Sequence, residues 1–342
     1  MSAPVVVKLG GDALASPGRI VAEARRLAEL AAAGPVIAVA SARRGVTDHL
    51  LGLVQEVRAV AGTAARASGV QPEAHRAVAT GEVVTAALLA LALEELGVSA
   101  ASLDAREAGL IAGRNRSRIG TVRGSRLARL LAQGVVPVVT GFQAWHRGRV
   151  TTLARGGTDA TAVALACAMS ASRVLFVKDA EGLRTADPRV VPDSRPIRAA
   201  PHRFLTALAR AGARLIQSEA AAEAEAAGLE LEFHSLEGRT ALSVVSRHAL
   251  GTGLRAVSLG PAEAGWIPVT AVAGTPEDAI ELAEPFRSAL LVAGISHGDL
   301  QPASSGLRVL VEARLAPEAL RAVHRAVVES DRRCSSATLR AS

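Results

Sequence analysis

The sequence predicts an α/β protein: a doubly wound, mostly parallel sheet with helices on both faces, followed by a small α+β unit. Three observations carry that prediction. Short β-branched apolar runs end in glycine-bearing or polar turns, as buried parallel strands do. Stretches of helical period alternate with them. Past about Leu250 the alternation gives way to strand-helix-strand-helix on a smaller scale.

PVVVKLGGDAL, residues 4–14, is the first such run, and it places Lys8 at a strand's carboxyl end. Open α/β sheets bind ligands beyond those ends, and glycines there let backbone amides approach phosphate oxygens. The plain alternative is a strand and turn with one exposed lysine. Residues 19–33 read as an amphipathic helix stopped by Gly34, and 35–40 as a second buried strand. That strand leads into SARRGVTDHLLGL, where Ser41 and Thr47 offer hydroxyls to a ligand, although Thr47 serves equally as cap to a helix starting near Asp48.

Residues 72–97 are mostly helical, with Thr80, Gly81 and Glu82 interrupting the pattern before an apolar run. Glu82 is either a solvated glutamate of a first turn or a partner for a substrate ammonium. VSAASLDA, 98–105, reads as a strand. Arg114, Arg116, Arg118, Arg123, Arg126 and Arg129 then run through a loop and helix as a solvated face. VVPVVTGF, 135–142, is a strand ending at Gly141 and Phe142, and WHRGRVTTL is hairpin-like.

TTLARGGTDATAVALA, residues 151–166, gathers the most chemistry. Arg155 offers a planar fork of donors, Gly156 and Gly157 leave amides approachable, and Thr158, Asp159 and Thr161 open an apolar helix. Such a helix start attracts anions, while Thr158 or Asp159 as a simple N-cap is the competing reading. RVLFVKDAEG, 173–182, is the next strand and empties into Lys178, Asp179 and Gly182. TADPRVVP, 185–192, is a Pro-punctuated loop, followed by helices over 202–211 and 218–228 and a strand, LELEFHS. WIPVTAVAG, PEDAIELAEPFRSALLVAG, GLRVLVEARL and a helix from Pro317 to Ser330 make up the small α+β unit; Arg332 to Ser342 reads as a frayed tail.

Composition narrows the function classes. With 342 residues, 49% of them hydrophobic, the chain buries a substantial core. The formal charge is +7 and the pI about 10.8, but the 39 basic residues comprise two lysines, Lys8 and Lys178, and 37 arginines. In so lysine-poor a chain each lysine draws attention, because a compact ammonium and a bulky guanidinium are not interchangeable around a phosphate. The arginines are scattered and aromatics are only 2%, so no nucleic-acid platform is expected. Cys167 and Cys334 lack metal-ligand spacing and read as reduced, buried or inert thiols. The most apolar stretch, Val83 to Leu93, is too short to span a bilayer, so no membrane partner and a cytoplasmic location are expected.

Residues 4–250 resemble the amino-acid kinase fold, specifically its aspartate kinase branch. Lys-x-Gly-Gly at 8–11, SARRGVTDHL at 41–50, Gly-Glu at 81–82, Gly-Phe at 141–142, TTLARGGTDATA at 151–162 and TADPR at 185–189 look like that family's successive motifs. The resemblance implies transfer of the ATP γ-phosphoryl group to the side-chain carboxylate of aspartate, with Mg²⁺ carried on the phosphates. It implies that Lys8 neutralises the moving phosphoryl group, that Gly10 and Gly11 cradle it, and that Asp159 orients Lys8. Arg155 would hold the α-carboxylate and Glu82 the α-ammonium, with Ser41, Thr47, Phe142, Gly156, Gly157 and Thr158 around the amino acid. Asp12, Lys178, Asp179, Arg184, Asp187 and Arg189 would lie toward ATP. Phosphoryl transfer needs chiefly positioning and charge neutralisation, which suits such a set.

The resemblance further implies a catalytic domain over 1–250, an ACT-like regulatory or dimerisation domain over 251–331 and a tail over 332–342, with a homodimer and an amino-acid effector at the ACT-like domain. The chain departs from the family pattern at several positions: Asp12 stands where a hydroxyl residue is usual, Arg43 and Arg44 replace small residues, and Ala154 replaces glycine. Lys178 replaces threonine, Arg184 stands in a tyrosine's place, and Arg214 and Gln217 replace a lysine and a histidine. Alternative readings are an amino-acid kinase acting on an aspartate analogue or another small carboxylate or phosphate acceptor, and a catalytically silent ACT-type regulatory subunit.

Overall fold

The computed structural model describes residues 2–62, 71–114, 118–154, 156–179 and 181–329. In chain order the first elements are β1 (Val5–Leu9), α1 (Pro17–Ala33), β2 (Val36–Ala40), α2 (Val46–Val60), α3 (Pro72–Glu95), β3 (Ala100–Leu103), β4 (Leu110–Ala112), β5 (Ile119–Val122) and α4 (Ser125–Ala132). Next come β6 (Val136–Thr140), β7 (Gln143–His146), β8 (Arg149–Thr152), α5 (Gly157–Ala168), β9 (Arg173–Val177), β10 (Leu183–Arg184), β11 (Pro196–Ile197), β12 (Ala199–Ala200), α6 (His202–Arg210) and α7 (Ser218–Ala227). The chain continues with β13 (Glu230–His234), β14 (Ser243–Val245), β15 (Arg255–Leu259), β16 (Trp266–Ala273), α8 (Pro276–Ile280), α9 (Ala283–Val292), β17 (Gln301–Ala303), β18 (Gly306–Glu312) and α10 (Ala316–His324).

Residues 1–180 and 229–241 form one compact unit, and 181–228 with 242–342 a second. This division runs at 180, 228 and 241 rather than at the expected 250. Within the first unit the strands follow the order β13-β9-β1-β2-β6-β3, every adjacent pair parallel. From β1 the chain proceeds to β2 on one side, while β9 lies on the other and leads outward to β13. The strand order therefore reverses at the β1/β9 boundary, the place where doubly wound sheets take up ligands. A small sheet, β5-β4-β7-β8, belongs to the same unit. Its β5 occupies part of the stretch from Arg114 to Arg129 that was expected to be loop and helix only.

The strands are apolar because they are covered on both faces. Leu9, Leu14, Leu27, Ala38, Leu89, Leu93, Val138, Leu175 and Val177 share one buried cluster. α1 begins as its sequence dictates, with Ser16 accepting from the Arg19 amide and Pro17 in the first turn. α3 does not. Thr80, Gly81 and Glu82 were expected to interrupt it, yet it runs unbroken for 24 residues. A Cβ on Gly81 would lie 3.0 Å from Ala42 Cβ and 3.1 Å from Val46 Cγ1, so glycine is present because the loop after β2 crosses there. The helix absorbs the roughly 1 kcal/mol propensity loss through the packing of its buried stripe, Val78, Glu82, Thr85, Ala86, Leu89 and Leu93. Unbroken, α3 is long and apolar enough to cross a membrane by length and composition, which corrects the shorter stretch read from sequence, and half of its most apolar window is buried inside the protein.

The second unit is built on an antiparallel sheet, β15-β16-β18-β17. Val257, Val269, Ala271, Val309 and Val311 of that sheet pack against Leu282, Phe286 and Leu290 and against Ala319, Leu320 and Val323 of α10. Buried His324 meets the Thr185 hydroxyl at 2.9 Å. The expected helix over 317–330 is α10 continued by a π-turn over Arg325–Glu329.

Candidate active site

Lys8 and Lys178 meet on one carboxylate. Lys8 Nζ lies 2.9 Å from Asp159 Oδ1, and Lys178 Nζ lies 2.9 Å from Asp159 Oδ2. The register Lys8↔Phe176 and Leu9↔Val177 brings the two lysines to the ends of adjacent strands, at the boundary where the strand order reverses. Asp159 reaches them from the third position of α5. That helix is capped by Gly156 in the left-handed region (φ 84°) with no side-chain cap, so neither Thr158 nor Asp159 serves as N-cap. Gly156 reaches a conformation that most residues avoid, and the Asp159 side chain is released for the lysines.

The electrostatics follow from the geometry. Burial drives the Asp159 carboxyl upward, but the ammonium of Lys178 and then that of Lys8 outweigh it and hold it at about 2. Lys178 is lowered to about 8, chiefly by burial, with Asp159 opposing and the Lys8 charge adding to the fall. One carboxylate thus holds two ammoniums at the ends of adjacent strands.

The glycine turn beside it is shaped by close approach. A Cβ on Gly11 would stand 3.0 Å from the Ala42 carbonyl oxygen and 3.3 Å from the Arg44 nitrogen. Gly11 accepts from the Arg44 amide at 3.2 Å, while the Gly10 amide donates to the Val177 carbonyl at 3.2 Å. Arg43 donates to the Ala15 carbonyl at 2.9 Å, and Arg44 pairs with Asp12 at 3.0 Å. The two arginines that depart from the resembled pattern thus brace this turn, and Arg44 offsets the charge of Asp12. Nothing in the residue types alone signals that contact.

A second polar locus lies in the same unit. Glu82 is 2% exposed; its Oε1 accepts from the Ala42 amide at 3.2 Å, and its Oε2 has no hydrogen-bond partner among the described residues. Burial raises it to about 7, against the Ala42 hydrogen bond. The glutamate is therefore not a solvated first-turn residue: it is the interior of a helix facing the loop that carries Ser41. Thr140, at the end of β6, likewise buries an unpartnered hydroxyl among the described residues; the sequence reading passed over it inside an apolar run.

Gly141 and Phe142 close β6 against the start of α5. A Cβ on Gly141 would lie 2.3 Å from Thr158 Cγ2, and one on Gly157 would lie 3.2 Å from Phe142 Cδ2. Phe142 itself adopts φ 63°, a conformation costly for a bulky residue, and its carbonyl accepts from the Leu153 amide at 2.8 Å. Thr47 is half-buried at the second position of α2, whose cap is Gly45, so the capping alternative for Thr47 is not what the structure shows. Arg155 lies outside the described residues, as do Arg116 and Cys334. Cys167, expected to be buried or inert, is exposed.

Asp179 is exposed in the first unit. The remaining nucleotide-side expectations fall in the second unit. Arg184 donates to Glu181 and to both the hydroxyl and the carbonyl of Ser194. Arg189 grips Asp187 through its amide and guanidinium at 2.6–3.0 Å, which lowers the Asp187 carboxyl.

A doubly wound sheet with two ammoniums held on one carboxylate at its switch point defines a class of α/β protein in which ligand sites lie beyond the strand ends. Comparison makes this specific: the chain belongs to the amino acid kinase family, whose profile matches residues 3–233. An aspartokinase of Rickettsia felis is 36% identical over 220 residues, which is 63% of this chain and 54% of that protein, so the chain spans about half the length of the curated relatives it matches. Among solved structures, the aspartate kinase of Clostridium acetobutylicum aligns with TM-score 0.68 at 15% identity, covering 94% of this chain and all of that one. The E. coli aspartokinase III, solved with aspartate and ADP, aligns with TM-score 0.63 at 21% identity over 90% of this chain and 78% of that one.

Proposed function

We propose that the protein transfers the γ-phosphoryl group of ATP to the side-chain carboxylate of L-aspartate, giving 4-phospho-L-aspartate and ADP. The observation that carries this reading is the Lys8–Asp159–Lys178 group at the β1/β9 switch point. The buried Glu82 with its open carboxylate oxygen, in the same unit, supports a free α-amino group on the acceptor. The family membership and the aspartokinase relatives support the same acceptor.

Lys8 meets the charge of the moving phosphoryl group, and Asp159 orients it. Glu82 in its anionic form holds the substrate ammonium, and Arg155 forks onto the α-carboxylate. Ser41, Thr47, Phe142, Gly156, Gly157 and Thr158 shape the amino-acid pocket; Gly11, Asp12 and Asp179 face the nucleotide. The acceptor carboxylate is ionised at neutral pH, so no general base is required. Mg²⁺ would come with the ATP phosphates and would supply positive charge to the group in transfer. Arg184, Asp187 and Arg189 are tested by substitution, reading KM for ATP. On the same footing the C-terminal sheet and helices are an ACT-like domain that supports a homodimer and binds an amino-acid effector, in a cytoplasmic protein.

The test is ADP release from Mg-ATP with aspartate, glutamate, an aspartate analogue and UMP, with hydroxylamine present to trap an acyl phosphate. A hydroxamate formed from aspartate is the expected result. Turnover only on another acceptor overturns the assignment of the amino acid and keeps the phosphate site.

A further inference from the structure

We propose that Thr140 is a specificity-determining residue of the acceptor site: its hydroxyl and the open carboxylate oxygen of Glu82 together receive the α-ammonium of the amino acid. This second contact rests on the reading of aspartate as acceptor given above and extends that pocket by one residue.

Strand alternation and register put Thr140 on the α3 side of the sheet. In β6, Val136, Val138 and Thr140 share one face, and both valines belong to the buried cluster that holds Ala86, Leu89 and Leu93 of α3. Thr140 is aligned with Ala40, another member of that cluster, at the carboxyl end of β2. Glu82 lies one turn before Ala86 on the buried stripe of α3, and the amide of Ala42, two residues beyond Ala40, donates to it. The two side chains therefore come to the same end of the same face, beneath α3 and beside the Gly141–Phe142 turn.

Each brings a polar atom that the protein does not satisfy. Thr140 is 1% exposed, and neither its hydroxyl oxygen nor Glu82 Oε2 has a hydrogen-bond partner among the described residues. Thr85 and Thr161, as deeply buried in the same unit, instead donate to the carbonyls of Gly81 and Gly157 at 2.8 and 2.9 Å. Valine would fill the place of Thr140 in a strand and pack as well on the apolar cluster, so the hydroxyl adds a desolvation cost without a local return.

The two atoms call for one kind of ligand. Both accept hydrogen bonds, and one of them carries negative charge, so a compact cation with several N–H donors satisfies both at once. A bridging water would serve the hydroxyl and leave the carboxylate charge unmet. Burial, which pushes Glu82 up to about 7, makes that charge costly until a cation reaches it. A pocket that ends in two buried acceptors discriminates strongly against a ligand of the same shape without the N–H donors. No bond is made or broken at either residue.

The experiment uses the full chain, wild type and Thr140→Val, with Mg-ATP and hydroxylamine trapping. Aspartate is the acceptor, and succinate, which has the same two carboxylates and no amino group, is the competing ligand. Thr140→Val is expected to raise KM for aspartate about tenfold with kcat changed less than about twofold. The inhibition constant of succinate is expected to stay within about twofold, so the preference for the amino acid falls about tenfold. Thr140→Ser is expected to keep that preference. An unchanged KM for aspartate in Thr140→Val overturns the contact and leaves the hydroxyl to an internal water; an equal rise for aspartate and succinate overturns it in favour of packing alone. Thr140→Ala carries the same expectations if the valine variant does not fold. A wild-type chain that neither binds nor turns over aspartate removes the acceptor reading and the contact with it, whereas normal wild-type turnover with an indifferent Thr140→Val removes the contact alone.

Discussion

Asp159 and Glu82 are both almost wholly buried, at 5% and 2% exposure, in the same unit of the protein, and burial has opposite outcomes at the two. At Asp159 two ammoniums outweigh desolvation and the carboxyl is held at about 2; at Glu82 one backbone amide does not, and the carboxyl rises to about 7. The first is an anion fixed for the whole physiological range, suited to positioning cations. The second changes charge near neutrality and, in the proposed reaction, gains its counter-ion from the substrate ammonium. What separates them is the partner that tertiary structure supplies, since residue type and depth are alike.

The strongest way to break the comparison is Asp159→Asn. It leaves two ammoniums facing each other, and a loss of roughly 3–5 kcal/mol is expected; a thermal melt that barely moves would show that the carboxylate is not what holds the lysines. Lys8→Ala leaves Asp159 paired with Lys178, so folding is retained while phosphoryl transfer falls by about 10³. An enzyme still active after this change removes Lys8 from the chemistry.

Gly141→Ala acts through packing, pushing Thr158 and the start of α5 away from the end of β6, with an expected cost of about 1–3 kcal/mol. It should lower kcat through Asp159 and leave the acid-side pH dependence governed by Glu82 unchanged. Parallel loss of both would mean that the two loci move as one.

Glu82→Gln has the smallest expected effect and sharpens the comparison most. In the wild type, KM for aspartate is expected to rise as pH falls below about 7, because protonated Glu82 offers no charge to an ammonium; the glutamine variant should show KM raised about tenfold and flat in pH. Stability moves the other way. The unfolded chain loses the Glu82 proton near 4.5 and the folded chain near 7, so the stabilisation is complete below 4.5 and lost as pH rises through 7. Melting temperatures of wild type and Glu82→Gln should therefore diverge across that window in favour of the variant. Parallel melting curves from pH 4.5 to 8 would return Glu82 to an ordinary glutamate.

Much of this site was legible in the chain. Lys8 and Lys178 were marked by scarcity and by their places after β-branched runs, and the Gly-Gly-Thr-Asp start of α5 was marked by its turn grammar. The pairing of Arg43 and Arg44 with the glycine turn was not, because it joins residues about thirty apart through a loop whose path no local pattern encodes. The same holds for α3. Thr80, Gly81 and Glu82 look like a break to any local rule, and only the crossing of the loop after β2 explains why a glycine is needed there and why the helix continues through it.

By itself the sequence determined the strand and helix periods, the apolar runs that must be buried on both faces, and the scarcity that singles out two lysines. Those are properties of residue type and spacing over a few turns. Tertiary structure decided that both lysines share one carboxylate, that Gly156 rather than Thr158 or Asp159 caps α5, and that Glu82 titrates near neutrality. Each of these depends on which groups from distant segments come within about 3 Å, and on how much water is excluded when they do.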